Sequence, residues 1–137
     1  MGRKLYNSSM DLEHDLASLN RVAFILGKIS MPHIKKEAVY CVKSRGATTR
    51  AIARIYSFPR VWQLALGISP KYVIEVISER FDKLKPEDKD RVLIHELMHI
   101  PKTFSGALVP HKCFGKKRIC AKTVEARYQE FLKNCYE

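Results

Sequence analysis

The residues best able to do chemistry lie in Arg91-Val92-Leu93-Ile94-His95-Glu96-Leu97-Met98-His99-Ile100, which contains the pattern H-E-x-x-H. On a helix, positions i and i+4 stand one turn apart on the same face, so the two imidazoles can reach one metal ion. Glu96 follows the first histidine directly, where it can take the proton of a water that the metal has acidified without being a ligand itself. A zinc ion at such a place supplies the Lewis acid that polarises a carbonyl. Five residues with two free positions do occur by chance on solvated helices. Here the context argues otherwise: Val92, Leu93, Ile94, Leu97 and Met98 surround the polar trio, and burying two histidines and a carboxylate is costly unless they are bonded or hold a metal.

A catalytic zinc usually takes three protein ligands and leaves a fourth position open. His111 is the favoured third ligand, because it lies twelve residues after His99 in a loop anchored by Pro110. Glu125, on the last expected helix, is the rival and would copy an arrangement of two histidines plus a helical glutamate; Glu130 is a weaker version of it. His14 reads as structural or neutral, and both His14 and His33 lie too far away in sequence to be argued for as ligands. Tyr128, Arg127 and Lys102 are candidate donors to an oxyanion.

These residues need elements to hold them. Residues 8–27 read as a first helix, with Leu12, Leu16, Leu19, Ala23 and Leu26 on one stripe, Ser8 or Ser9 as N-cap and Gly27 as stop. Ala38–Ser44 reads as a strand. Arg50–Ser57 reads as a second, with Arg50, Ile52, Arg54 and Tyr56 on one face and Ala51, Ala53, Ile55 and Ser57 on the other. Neither face is purely apolar, which suits an edge or cleft-lining strand. The stretch Val61–Leu66 has no clear assignment. Tyr72–Ser78 is the strongest strand and belongs inside the sheet. Pro86-Glu87-Asp88 starts the helix that carries His95 and His99, and Pro101 stops it near Ile100. A loop with a hinge at Gly106 follows, then a helix over Ala121–Cys135 with Val124, Tyr128, Phe131, Leu132 and Cys135 inward. Trp62, Tyr72 and Phe104 read as core. The expected fold class is α+β: an N-terminal helix, a small mixed sheet of three or four strands, the motif-bearing helix and a C-terminal helix, all in a single domain, residues 1–137.

Composition bounds the rest. With 137 residues, 46% hydrophobic and 28% charged, the chain can bury a core without disulfides. No apolar run approaches the ~20 residues that span a bilayer. The start, Met1-Gly2-Arg3-Lys4-Leu5-Tyr6, lacks an apolar run after its basic residues, and Tyr6 spoils a myristoylation pattern; the expectation is cytoplasmic, with no membrane partner. The net charge of +11 is dense at Lys35-Lys36, Arg45–Arg54 and Lys112–Lys122, which leaves a nucleic-acid partner open. Cys41, Cys113, Cys120 and Cys135 form no C-x-x-C. A structural zinc held by Cys113, Cys120 and Cys135 ranks last on spacing.

The segments Tyr72-Val73-Ile74-Glu75-Val76, Phe81-Asp82-Lys83-Leu84, Val92 to Pro101, Thr103-Phe104-Ser105-Gly106 and Pro110-His111 resemble a family of metallopeptidases from archaea and phages. The likeness runs from about Ala38 to the last helix. The layout is also similar to SprT-like and other minimal zincins, in which a third histidine follows H-E-x-x-H at variable distance. The resemblance implies a zincin fold and peptide-bond hydrolysis, with one zinc per chain on His95, His99 and His111 and Glu96 as general base. SprT-like enzymes act on DNA-bound proteins, but the spacing from His99 to His111 departs from theirs and no DNA-binding region stands apart here. The alternative is a DNA- or protein-binding regulator on a zincin scaffold, against which the intact Glu96 argues. In zincins an edge strand pairs with the substrate, here Arg50–Tyr56 or Tyr72–Ser78.

Overall fold

The computed structural model describes residues 10–113 and 115–136, without the side chains of Cys113 and Lys117. Its elements are β1 (Asp11–His14), α1 (Leu16–Leu26), a 3-10 turn (Lys36–Ala38), β2 (Val39–Arg45), β3 (Ala53–Tyr56), α2 (Arg60–Leu66), β4 (Tyr72–Ile77), α3 (Ser78–Phe81), α4 (Pro86–Met98), the two-residue strands β5 (Lys112–Cys113) and β6 (Lys116–Lys117), and α5 (Ala121–Cys135). The first four strands form one mixed sheet in the order β1-β2-β4-β3. β2 runs parallel to β4, while β1 and β3 are antiparallel to their neighbours. The expected α+β class and small zincin-like layout hold.

β4 is central because its side chains suit burial on both faces. Tyr72, Ile74 and Val76 enter the core against Leu93, Ile94 and Leu97 of α4 and Val22 and Ile25 of α1. Val124, Tyr128 and Phe131 of α5 close that core from the far side. Each such side chain contributes about 1.5–3 kcal/mol through removal from water, which makes α4 a fixed platform. On the other face of β4, Glu75 has a fully buried side chain; Arg54 donates to it through Nε at 2.8 Å, and the Tyr56 hydroxyl donates to the same carboxylate. Burial pushes the Glu75 carboxyl up, but the hydrogen bonds from Arg54 and Tyr56 outweigh it and leave it below its ordinary value.

Three expectations need correction. The first helix starts at Leu16, capped by Asp15, whose carboxylate accepts from Ser18 N at 3.0 Å; residues 11–14 are strand instead, paired from Asp11↔Arg45 to His14↔Val42. Ser8 and Ser9, like Gly2 and Tyr6, lie outside the described residues. The inward face of α1 is Ser18, Val22 and Ile25, whereas Leu12 and Leu16 are 60% and 66% exposed. A β-strand followed by a tight cap breaks the helical period, so the leucine stripe counted across it was not one face. Val61–Leu66, unassigned from sequence, is α2; Trp62 within it is exposed, not core, while Tyr72 and Phe104 are buried. No helix among the described residues is long and apolar enough to cross a membrane.

Candidate metal centre

α4 begins as its sequence dictates, with Pro86 in the first turn beside Glu87 and Asp88. Proline loses nothing there, since the first N–H groups have no helical partner, and acids face the positive end of the helix. The helix carries His95 and Glu96 in its last turn and ends with His99 as its C-cap. His99 keeps right-handed helical geometry, so the i, i+4 relation survives and the His95 and His99 rings stand 5.2 Å apart between centroids.

The return of the chain to bring in His111 is built largely from main-chain bonds. Val109 N donates to His99 O at 2.7 Å, and His99 Nδ1–H donates to Val109 O at 2.6 Å. That pair closes the loop and fixes the proton of His99 on Nδ1, leaving Nε2 with a free lone pair. Arg118 N and Ile119 N both donate to His111 O, at 2.8 and 3.2 Å, which holds the far side of the loop. Further back, Gly106 N donates to the Tyr72 hydroxyl, which itself donates to Ala107 O, each at 2.8 Å. Gly106 has φ 95° and packs so tightly that a Cβ there would lie 2.2 Å from Phe58 O. Only glycine fits. Gln63 of α2 donates to Phe58 O and Ser105 O, both at 2.8 Å, tying this loop to the end of β3.

The result is a three-imidazole group. One ligand nitrogen from each of His95, His99 and His111 lies within 4.8 Å of the others, and His95 Nε2 is 3.1 Å from His111 Nε2. It is the one such group among the described residues; Cys120 and Cys135 join none, and the side chain of Cys113 lies outside the description. Converging imidazole nitrogens fit a divalent transition metal, whose preferred ligands include imidazole. Burial, with His99 and His111 adding to it, pushes the His95 imidazole down to about 4, so the ring keeps its lone pair at neutral pH. Burial pushes His99 down as well.

Glu96 lines the same cleft and is 7% exposed. Its carboxylate has no hydrogen-bond or ion-pair partner among the described residues, and burial alone pushes it up to about 8. Glu125 also borders the cleft, yet its oxygens are held by Arg91 Nε at 2.8 Å and Gln129 Nε2 at 2.8 Å. Glu130 is turned to Arg127 and to Ser30 N. Neither belongs to the imidazole group.

The cleft has a volume of about 820 Å³. Its walls include Ala51, Ala53 and Ile55 on one side and Val92, Leu108 and Val124 on the other. β4 is flanked by β2 and β3, whereas among the described residues β3 pairs only with β4. The free edge at the cleft is therefore β3, which settles which of the two candidate strands is available. Tyr128, Arg127 and Lys102 do not line it: Tyr128 is buried under Arg91, whose guanidinium carbon is 4.2 Å from its ring centroid, and Arg127 pairs with Glu130. Sequence reasoning missed Val109, because a carbonyl that orients a histidine leaves no trace in residue type. It also missed Arg91, whose signal, a basic residue one turn before His95, was open to reading.

A helix presenting two histidines and a glutamate, a loop histidine and an edge strand together define the class of a metal-dependent hydrolase of small α+β, zincin-like fold. The chain matches the family model described as "Putative phage metallopeptidase" over residues 6–131, and it belongs to that family. No curated protein and no solved structure matches it. Family and histidine group together point to a metal-dependent peptidase acting on protein or peptide.

Proposed function

We propose that the protein is a zinc metallopeptidase in which His95, His99 and His111 hold one zinc ion and Glu96 is the general base. The observation that carries this reading is the convergence of three imidazole nitrogens within 4.8 Å beside a buried carboxylate that has no partner among the described residues. Bound zinc supplies a Lewis acid that polarises the scissile carbonyl and acidifies the attacking water. Glu96 takes the proton of that water and returns it to the leaving amine nitrogen. The free edge of β3 pairs with an extended substrate and holds its carbonyl over the histidines. Val109 O keeps His99 in the tautomer that offers Nε2. The cytoplasm is the proposed compartment and one domain the proposed organisation.

Metal content by mass spectrometry tests this on the wild type and on His111→Ala, Glu125→Ala and Glu96→Ala. About one zinc per chain, retained in Glu125→Ala and Glu96→Ala and weakened in His111→Ala, is the expected result. Cleavage of an unstructured protein by the wild type, abolished in Glu96→Ala, completes it. A wild type that takes up no divalent metal overturns the reading.

A further inference from the structure

We infer that the cleft selects substrates with acidic side chains flanking the scissile bond, an inference that rests on the peptidase reading above. The acids of this chain are sharply segregated. Residues 38–74 and 97–124 contain no Asp or Glu at all, yet hold twelve of the 25 Lys and Arg, and all 14 acids lie outside them. Those two segments line much of the cleft, which Glu96 of α4 and Glu125 of α5 also border: the first carries β3, and the second carries the His99–His111 loop, the β5–β6 hairpin and the start of α5.

Within the walls the basic groups differ in what they already hold. Arg54 is engaged by Glu75, and Arg91, on the cleft floor, by Asp88 and Glu125. Arg50, which lines the cleft, forms no ion pair among the described residues. The same is true of Lys112, next to His111; of Lys116; of Arg118, whose N–H bonds the His111 carbonyl; and of Lys122, beside the cleft residue Ala121. All five are exposed. α5 also starts beside the cleft, with Cys120 and Thr123 forming a capping box and no acid in its first turn. Unpaired positive charge on both rims raises the local concentration of negatively charged ligand and penalises a cationic one.

The floor says which anion. A single-stranded nucleic acid is held by aromatic platforms on which bases stack. Among the described residues the cleft lining has none: apart from the three histidines, it is aliphatic or charged. Small and aliphatic side chains between two basic rims, beside a free strand edge, fit an extended peptide with a small or apolar residue at the metal and Asp or Glu to either side.

The test uses three fluorogenic peptides of one length, identical at the centre and flanked by Glu, Gln or Lys. Zinc-loaded wild type is expected to cleave the Glu-flanked peptide with a kcat/KM about tenfold above the Gln-flanked one, the preference shrinking as salt rises. Arg50→Glu and the double substitution Lys112→Glu/Lys116→Glu should each erase or invert that order with zinc content and thermal midpoint unchanged. Binding of the same peptides to zinc-loaded Glu96→Gln, read by anisotropy, separates the two claims. Preferential binding of the Glu-flanked peptide without cleavage by wild type would leave the inference standing and sink the peptidase reading. Equal binding and equal cleavage of all three overturn the inference, as does a single-stranded oligonucleotide that binds more tightly than the Glu-flanked peptide while the peptides show no order.

Discussion

Two buried glutamates, one on each side of the sheet and helix layers, have opposite fates. Glu75 of β4 is fully enclosed and satisfied by Arg54 and Tyr56, and its carboxyl is held below the ordinary range. Glu96 of α4 is nearly as buried but meets no donor among the described residues, and burial carries it up to about 8. Burying an unpaired carboxylate is expensive, so a fold keeps one only where something else uses it. Glu75 is spent on holding β3 to the sheet. Glu96 has no such partner among the described residues, which is what its proposed role as general base requires.

Breaking the comparison at Glu96 should give the largest effect. Glu96→Gln is expected to lower peptide cleavage by about 10³-fold, within the range for loss of a general base, while thermal stability stays level or rises because a buried unpaired acid is gone. A parallel loss of stability would place Glu96 with Glu75 as a structural group. Next comes the partner of the other glutamate. Arg54→Met leaves Glu75 buried without its cation and should cost about 3 kcal/mol in denaturant unfolding, with zinc content unchanged.

The sign of the pH dependence sharpens the contrast. The folded-state value of Glu75 lies below its unfolded value near 4.5. Its contribution is therefore complete above that value and lost as pH falls through the folded value. The stability gap between wild type and Arg54→Met should close progressively on acidification, from the raised value that buried Glu75 takes without its cation down through the lowered wild-type folded value. A gap that widens on acidification would contradict the pairing. Smaller still is the effect at the hinge between the two regions. Gly106→Ala forces a Cβ against Phe58 O at a positive φ and should cost about 1–3 kcal/mol. Because this loop leads to His111, zinc affinity should fall with it; unchanged affinity would show that His111 is held by Arg118 and Ile119 alone.

Much of this was open to reading in the chain. Pro86 with its two acids, the five β-formers of Tyr72–Ile77 and the stripe Val124-Tyr128-Phe131 all state their element locally, and each formed where expected. β1 was hidden because a four-residue exposed strand carries no apolar alternation, and α2 because none of its residues is buried to mark a face.

The sequence by itself determined the α4 motif, because residue spacing along a helix is set by local geometry alone. It also determined the two acid-free segments, residues 38–74 and 97–124, which are a matter of composition. Only the tertiary structure decided that His111, and neither Glu125 nor Glu130, joins His95 and His99, since that depends on where a loop closes and which arginine reaches a carboxylate first. It alone decided that β3 is the free edge and that Glu75 and Glu96 part ways. Partners brought together by packing from 10 to 21 residues apart leave no period in the chain to read.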